Sequence, residues 1–296
     1  MDILRLRYFL AIVDSGGFNR AAAVLYVSQP SLSQAIRTLE RDLGTELFHR
    51  IGRRAVLTEA GRALIGPARE AVRSLETARA SVESVHELRT GRLDVASMPS
   101  QAIEPLTTLI RSFSDRHPGV VVVVKAVFTA HDVIEAVRTG AVELGLLACA
   151  GPLPDKEVDT FGLGRQRFVL LVPPGDPLAG RRSVGSGELS GRRLIVGQPG
   201  TGMRAYTDSL REQGVEFSVA AETEHRVSLL PLVLAGAGLA VVTESWRDLA
   251  RRAGAHVLDI EPATALSVGL VSRRGLLSPA SSAFLAAAGA HVESDR

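Results

Sequence analysis

The sequence predicts an α/β protein in three parts: an N-terminal winged helix-turn-helix, a long linker helix, and a larger domain of alternating strands and helices. Three observations predict it. Two short apolar stripes of helical period stand close together near the N-terminus, separated by Tyr26 and Val27. Apolar residues then recur at spacings of 4, 3, 4, 3, 4 and 3 from Leu64 to Val85. From Gly91 onward, short apolar runs alternate with amphipathic stretches, the pattern of an α/β domain with parallel sheets.

The first part opens on Leu4, Tyr8, Phe9 and Val13, an amphipathic helix ended by Ser15-Gly16-Gly17. Phe18, Ala21, Ala22 and Leu25 form the second stripe. The third helix has Ser28 as N-cap and Pro30 in its first turn, buries Leu32, Ile36 and Leu39, and closes at Gly44. Two helices so tightly joined, the second starting polar, are the plan of a helix-turn-helix. A recognition helix needs short polar side chains near its start, and Ser28, Gln29, Ser31, Ser33, Gln34 and Arg37 supply them beside Pro30. Gln29 can pair with adenine or other base edges, and Arg37 with guanine or phosphate.

Leu47 to Leu57 reads as two short strands around Gly52, with Arg50, Arg53 and Arg54 and no acid between Glu46 and Glu59. That is a wing whose arginines meet phosphates or a narrow minor groove. Thr58 then caps a long helix with Glu59 in its first turn. Its alternating spacing is that of a coiled-coil seam, which suits a dimerising linker, while Gly66-Pro67 should kink or restart it. The divisions are therefore 1–58 for the winged helix-turn-helix, 59–90 for the linker helix and 91–296 for the remainder.

Within the remainder, strands are expected at 93–97, 120–128, 143–149, 168–172, 193–197, 217–222, 238–243, 256–260 and 266–272. Some 200 residues of this texture exceed one tidy sheet, so two subdomains facing a cleft are expected: about 91–162 with 267–296, and about 163–266.

Composition sets bounds. The formal charge is +2, from 34 Lys and Arg against 32 Asp and Glu, which excludes a thoroughly basic polyanion coat. The excess is local: residues 1–90 carry 13 Arg, no Lys and 10 acids, and the rest leans acidic. One cysteine, Cys149, excludes an intrachain disulfide and reads as a core filler without a resolving partner. No apolar run reaches the roughly 18 residues that span a bilayer, and the N-terminus lacks a signal-peptide layout, so a cytoplasmic protein with no membrane partner is expected. Aromatic residues make up only 4% of the chain, too few for a single-strand binder that works by stacking.

The segment from Phe18 to Glu40, with its Ala21-Ala22, Ser28-Gln29-Pro30 and Ile36-x-x-Leu39-Glu40 elements, resembles the LysR-type transcriptional regulators. So do Leu43-Gly44, Leu47-Phe48 and Leu57-Thr58-x-Ala60-Gly61. The resemblance continues through His117-Pro118-Gly119, Gly140, Glu143-Leu144-Gly145, Gly200-Thr201-Gly202 and Ala235-Gly236-Ala237-Gly238-Leu239. It implies a periplasmic-binding-protein-like effector domain of two α/β subdomains, double-stranded promoter DNA and a small-molecule effector as partners, and a homodimer or homotetramer. It also implies that hydroxyls in loops between the lobes hold a carboxylate-bearing effector, here Ser100, Gln101, Thr129, Thr201 and Gly202. Ser100 and Thr201 are equally placed as helix caps, and the two roles are compatible.

Two other readings compete. Gly200-x-Gly202-x-x-Ala205 follows a strand, opens a helix and has Glu222 about 20 residues on, the dinucleotide fingerprint of an NAD-dependent enzyme. It lies after a complete DNA-reading unit, however, and no proton relay stands nearby. A solute-binding protein would suit the same cleft but would need a signal peptide. The seven histidines are scattered without metal-ligand spacing. No catalytic residue, metal or cofactor is assigned.

Overall fold

The computed structural model describes residues 2–51, 54–83 and 90–294. The chain divides into two compact units, Met1–Glu87 with Arg138–Ala141, and Leu88–Val137 with Val142–Arg296.

The first unit begins with α1 (Ile3–Ser15), α2 (Phe18–Val24) and α3 (Gln29–Leu43). Asp2 caps α1, and Gly16 ends it in the left-handed conformation that glycine adopts without strain. The buried face of α1 is Leu6, Phe9, Leu10 and Ile12, whereas Leu4 is exposed. The expected stripe is thus partly displaced, because α1 packs against α2, α3 and the long helix and is covered on several sides. Leu32, Ile36 and Leu39 of α3 are fully buried beside Ala21 and Ala22. Strands β1 (Phe48–Ile51) and β2 (Arg54–Leu57) form the antiparallel wing.

Helix α4 (Glu59–Glu83) runs on without a restart at Pro67. Proline removes one N–H from the ladder, but Pro67 and Ala63, whose carbonyl it would have engaged, are both exposed, and on an exposed helix face solvent can satisfy a freed carbonyl. The expected seam divides. Ala68 is buried in the helix-turn-helix core, with Leu64 and Ala71 packed against it. Leu75 is half-buried and Ala78 exposed, and neither belongs to that core. Val85 lies outside the described residues.

The second unit has two lobes sharing one long strand. In the first lobe the order is β4 (Val120–Ala126), β3 (Gly91–Ser97), β5 (Leu144–Cys149), β12 (Ala265–Ser272) and the first half of β6 (Asp159–Val172). In the second, the latter half of β6 pairs with β10 (Leu239–Thr243), followed by β8 (Arg193–Gly197) and β9 (Ser218–Thr223). On the other side of β6 lies β11 (His256–Glu261), then β7 (Ser183–Gly185). Parallel sheets were expected; both sheets are mixed, because β12 runs antiparallel to β5 and β6, and β10 and β11 antiparallel to β6. The cause is β6 itself, a 14-residue strand read from sequence only as its last, continuously apolar third. Its first nine residues are exposed or half-buried, and none is fully buried. Partner strands change between Arg167, opposite Ala265, and Phe168, opposite Thr243, so the lobe boundary lies about five residues later than expected.

Helices α6 (Leu106–Arg116) and α11 (Pro279–Ser294) cover one face of the first sheet, where Phe113 meets Phe284 at 5.3 Å between ring centroids. Helix α7 (Ala130–Arg138) covers the other face so closely that a Cβ on Gly145 would lie 2.4 Å from Val133 Cγ1. In the second lobe, α8 (Gly202–Glu212) stacks Tyr206 on Phe168 at 4.3 Å. Short helices α5 (Pro99–Ile103), α9 (Leu229–Leu234) and α10 (Arg247–Arg252) complete the unit.

Candidate nucleic-acid interface and ligand cleft

The start of α3 is built to stand out from its core. The Ser28 hydroxyl accepts the Ser31 N–H at 3.2 Å and caps the helix. Ser28, Gln29, Pro30, Ser31, Gln34 and Arg37 are all exposed. Arg37 donates to the Gln34 side chain at 3.1 Å, which holds its guanidinium along the helix face. Ser33 differs: it is buried, and Gln29 donates to its hydroxyl at 2.9 Å. It braces Gln29 from inside and does not share the exposed face. Arg50 and Arg54 stand on the two wing strands, opposite Ala55 and Ile51 respectively. Arg53 lies outside the described residues.

The wing is registered to the recognition helix by one acid. Glu40, on α3, accepts the backbone N–H groups of Leu47 and Phe48 at 2.9 and 3.3 Å. Thr58 donates to the Glu46 carbonyl at 2.8 Å and accepts the Gly61 N–H at 2.9 Å. A Cβ on Gly61 would fall 2.2 Å from the Leu47 carbonyl oxygen, so α4 can approach the strand only through a glycine.

In the second unit, the three expected loops converge. Ser100, Gln101 and Thr201 are almost fully buried. Thr201 caps α8, accepting the Arg204 N–H at 3.4 Å and donating to the Gln198 carbonyl at 2.9 Å. Thr129 caps α7 through the Asp132 N–H at 3.1 Å, and its methyl would lie 4.0 Å from a Cβ on Gly200. Gly202 is a close-approach position, since a Cβ there would sit 3.0 Å from Leu266. Gln101 points elsewhere: it donates to Gln166 of β6 at 3.1 Å, and Gln166 in turn donates to the Glu104 carbonyl.

The Ser100 hydroxyl is the node between lobes. It accepts from Arg226 Nη1 at 2.8 Å and from the Trp246 indole N–H at 3.5 Å, and it faces Met203 Sδ at 4.0 Å. Burial pushes the Arg226 guanidinium down to about 10, which leaves it charged at neutral pH. Nothing in the sequence singles out Arg226, one arginine among many; Trp246, the chain's single tryptophan, offered a faint signal.

The dinucleotide fingerprint has a different explanation. Arg204 holds Glu222 at 2.9 Å and also pairs with Asp208, so the acid that a ribose would need is engaged. Burial raises the Cys149 thiol, and its Sγ contacts the Pro152 carbonyl at 3.4 Å. Among the described residues no group of His, Cys, Asp and Glu is arranged to hold a metal ion, and no helix is long and apolar enough to cross a membrane.

A winged helix-turn-helix with an exposed polar recognition helix, followed by a bilobed unit with a polar interlobe node, defines a DNA-binding regulator with a small-molecule-binding domain. Residues 3–62 match the bacterial regulatory helix-turn-helix of the lysR family, and residues 86–293 match the LysR substrate binding domain. The chain belongs to the LysR family of transcriptional regulators. It is 30% identical over 288 residues to the RuBisCO operon transcriptional regulator of Allochromatium vinosum, covering 96% of this chain and 94% of that protein. It is also 30% identical to a probable hydrogen peroxide-inducible genes activator of Mycobacterium leprae, over 82% of this chain and 78% of that protein. Two solved structures share the fold. A full-length OxyR variant from Pseudomonas aeruginosa gives a TM-score of 0.76 at 22% identity, covering 99% and 95% of the two chains. Full-length CbnR in complex with its target DNA gives 0.70 at 22% identity, covering 98% and 100%.

Proposed function

We propose that this protein reads double-stranded operator DNA with Ser28, Gln29, Pro30, Ser31, Gln34 and Arg37 in the major groove, Ser33 bracing Gln29. Arg50, Arg53 and Arg54 of the wing meet phosphates or the minor groove. It acts in the cytoplasm as a homodimer or homotetramer and carries out no catalytic step. Leu75 and Ala78 of the α4 seam lie outside the helix-turn-helix core, which supports a second copy meeting them. A small anionic metabolite enters between the lobes near Ser100, Thr129, Thr201 and Gly202, and its binding changes how the DNA-binding units are set on bent DNA.

The observation that carries this reading is the exposed polar row on α3, capped by Ser28 and registered to the wing by Glu40, in a chain of this family. Gel-shift titration against the intergenic DNA upstream of the protein's own gene tests it. A specific shift is expected, with a position or affinity that responds to metabolites; no specific shift at any metabolite concentration contradicts it.

A further inference from the structure

The second unit contains a buried charge with nothing to balance it. Arg226 lies on a three-residue 3-10 turn, Arg226–Ser228, between β9 and α9. That turn is inside out: Arg226 is 7% exposed while the neighbouring Val227 is 79% exposed. Arg226 is also the one charged side chain among the fully buried described residues. Its Nη1 donates to Ser100, and its Nη2, equally buried, has no partner. A guanidinium taken out of water without a carboxylate is a costly arrangement, and a buried donor left unpaired calls for a partner.

The surroundings show what would complete it. The Ser100 oxygen already accepts from Arg226 and Trp246, so its lone pairs are taken. Its proton points only at the Met203 sulfur, 4.0 Å away, a weak contact that an anionic oxygen would readily displace. The free donors at this node are therefore Arg226 Nη2 and the Ser100 hydroxyl proton, with the Trp246 N–H at its edge. We infer that Arg226 is the charged anchor of a site for a compact monoanionic carboxylate, one oxygen on Nη2 and the Ser100 proton turned toward the carboxylate. A single guanidinium balances one negative charge, which favours a carboxylate over a phosphate dianion. Ser100 belongs to the first lobe and Arg226 and Trp246 to the second, so the anion ties the lobes together. This deepens the reading of the cleft as the effector site and rests on it.

The test uses the full-length protein, with sodium acetate as probe, acetamide as its neutral counterpart and inorganic phosphate as the dianion, at ionic strength held constant with chloride. Acetate should raise Tm by about 2 °C over chloride, acetamide should not, and phosphate should do less than acetate. Arg226→Met should abolish the acetate response. It should also raise the Tm of the ligand-free protein by about 2 °C, because an unpaired charge gives way to an apolar side chain of similar length. Trp246→Phe should keep part of the response. An acetate response preserved in Arg226→Met, a ligand-free Tm several degrees lower in that variant, no acetate response in the wild type, or a larger response to phosphate would each overturn the proposal. Operator binding by Arg226→Met that still answers to a metabolite would overturn the anchor alone. A wild type without specific operator binding would overturn the regulator reading, not the anion site.

Discussion

The two units present polar side chains in opposite ways. On α3, Ser28, Gln29, Ser31, Gln34 and Arg37 are exposed and bonded mainly to one another along the helix. In the second unit, Ser100, Gln101, Thr201 and Arg226 are buried: Arg226 bonds Ser100 across the lobes, Thr201 closes a helix end, and Gln101 bonds Gln166 within the first lobe. The difference follows from the partner each suits. A duplex is a large, rigid polyanion that reaches donors held out in water, so many modest contacts suffice. A small ligand has few atoms, so each donor must already be stripped of water and aimed, which concentrates the free energy in a few groups.

Mutations that separate the units sharpen this contrast. The largest effect is expected for Gly61→Ala, whose Cβ would strike the Leu47 carbonyl. Overpacking against backbone should cost the first unit about 3 kcal/mol and end DNA binding, while proteolytic protection of the second unit stays intact. Gln29→Ala and Arg37→Ala should each weaken operator affinity by about 1–3 kcal/mol in an anisotropy titration and leave the ligand dose-response unchanged. Ser100→Ala should cost about 2 kcal/mol in denaturant unfolding, since it strips Arg226 of its one hydrogen bond, and should blunt the ligand response without altering DNA affinity. Thr201→Val removes the cap of α8 and should cost about 1 kcal/mol, with a similarly blunted response.

The smallest effect concerns pH. Glu188 accepts from Arg181 and from the Gly185 N–H, which hold its carboxyl at about 2 against an ordinary 4.5. A depressed folded value means the contribution is present above about 4.5 and is lost as pH falls toward 2. Glu188→Gln should flatten the acid limb of the unfolding profile in that window. The change should be small because the pair is exposed.

The same contrast decides what could be read from sequence. The recognition helix was legible because its signals are local: Ser28 caps, Leu32, Ile36 and Leu39 repeat at helical spacing, and the polar residues lie between them. The inward turn of Ser33 was not, because it depends on packing against neighbouring helices. In the second unit, most strands and helices were legible from apolar runs, but the first part of β6 was not, since Asp159 to Arg167 carry two glycines and three charged residues and no continuous apolar run. Pairing direction was likewise hidden, because it is set by β12 returning more than 90 residues after β6. Thr201 was legible as a helix cap; Ser100, read the same way, lies inside α5, whose cap position is Met98, while Thr129 caps α7 unannounced. Arg226 was not, since its meaning comes from Ser100, 126 residues away in the chain.

The division of labour is tested most directly by titrating the same operator fragment with wild-type protein, the Gln29→Ala/Arg37→Ala double variant and Ser100→Ala, each with and without an active metabolite. The double variant should lose specific affinity by tenfold or more while its metabolite binding persists; Ser100→Ala should keep wild-type DNA affinity and lose the metabolite's effect. Equal loss of DNA affinity in both variants, or unchanged affinity in the double variant, would contradict the account.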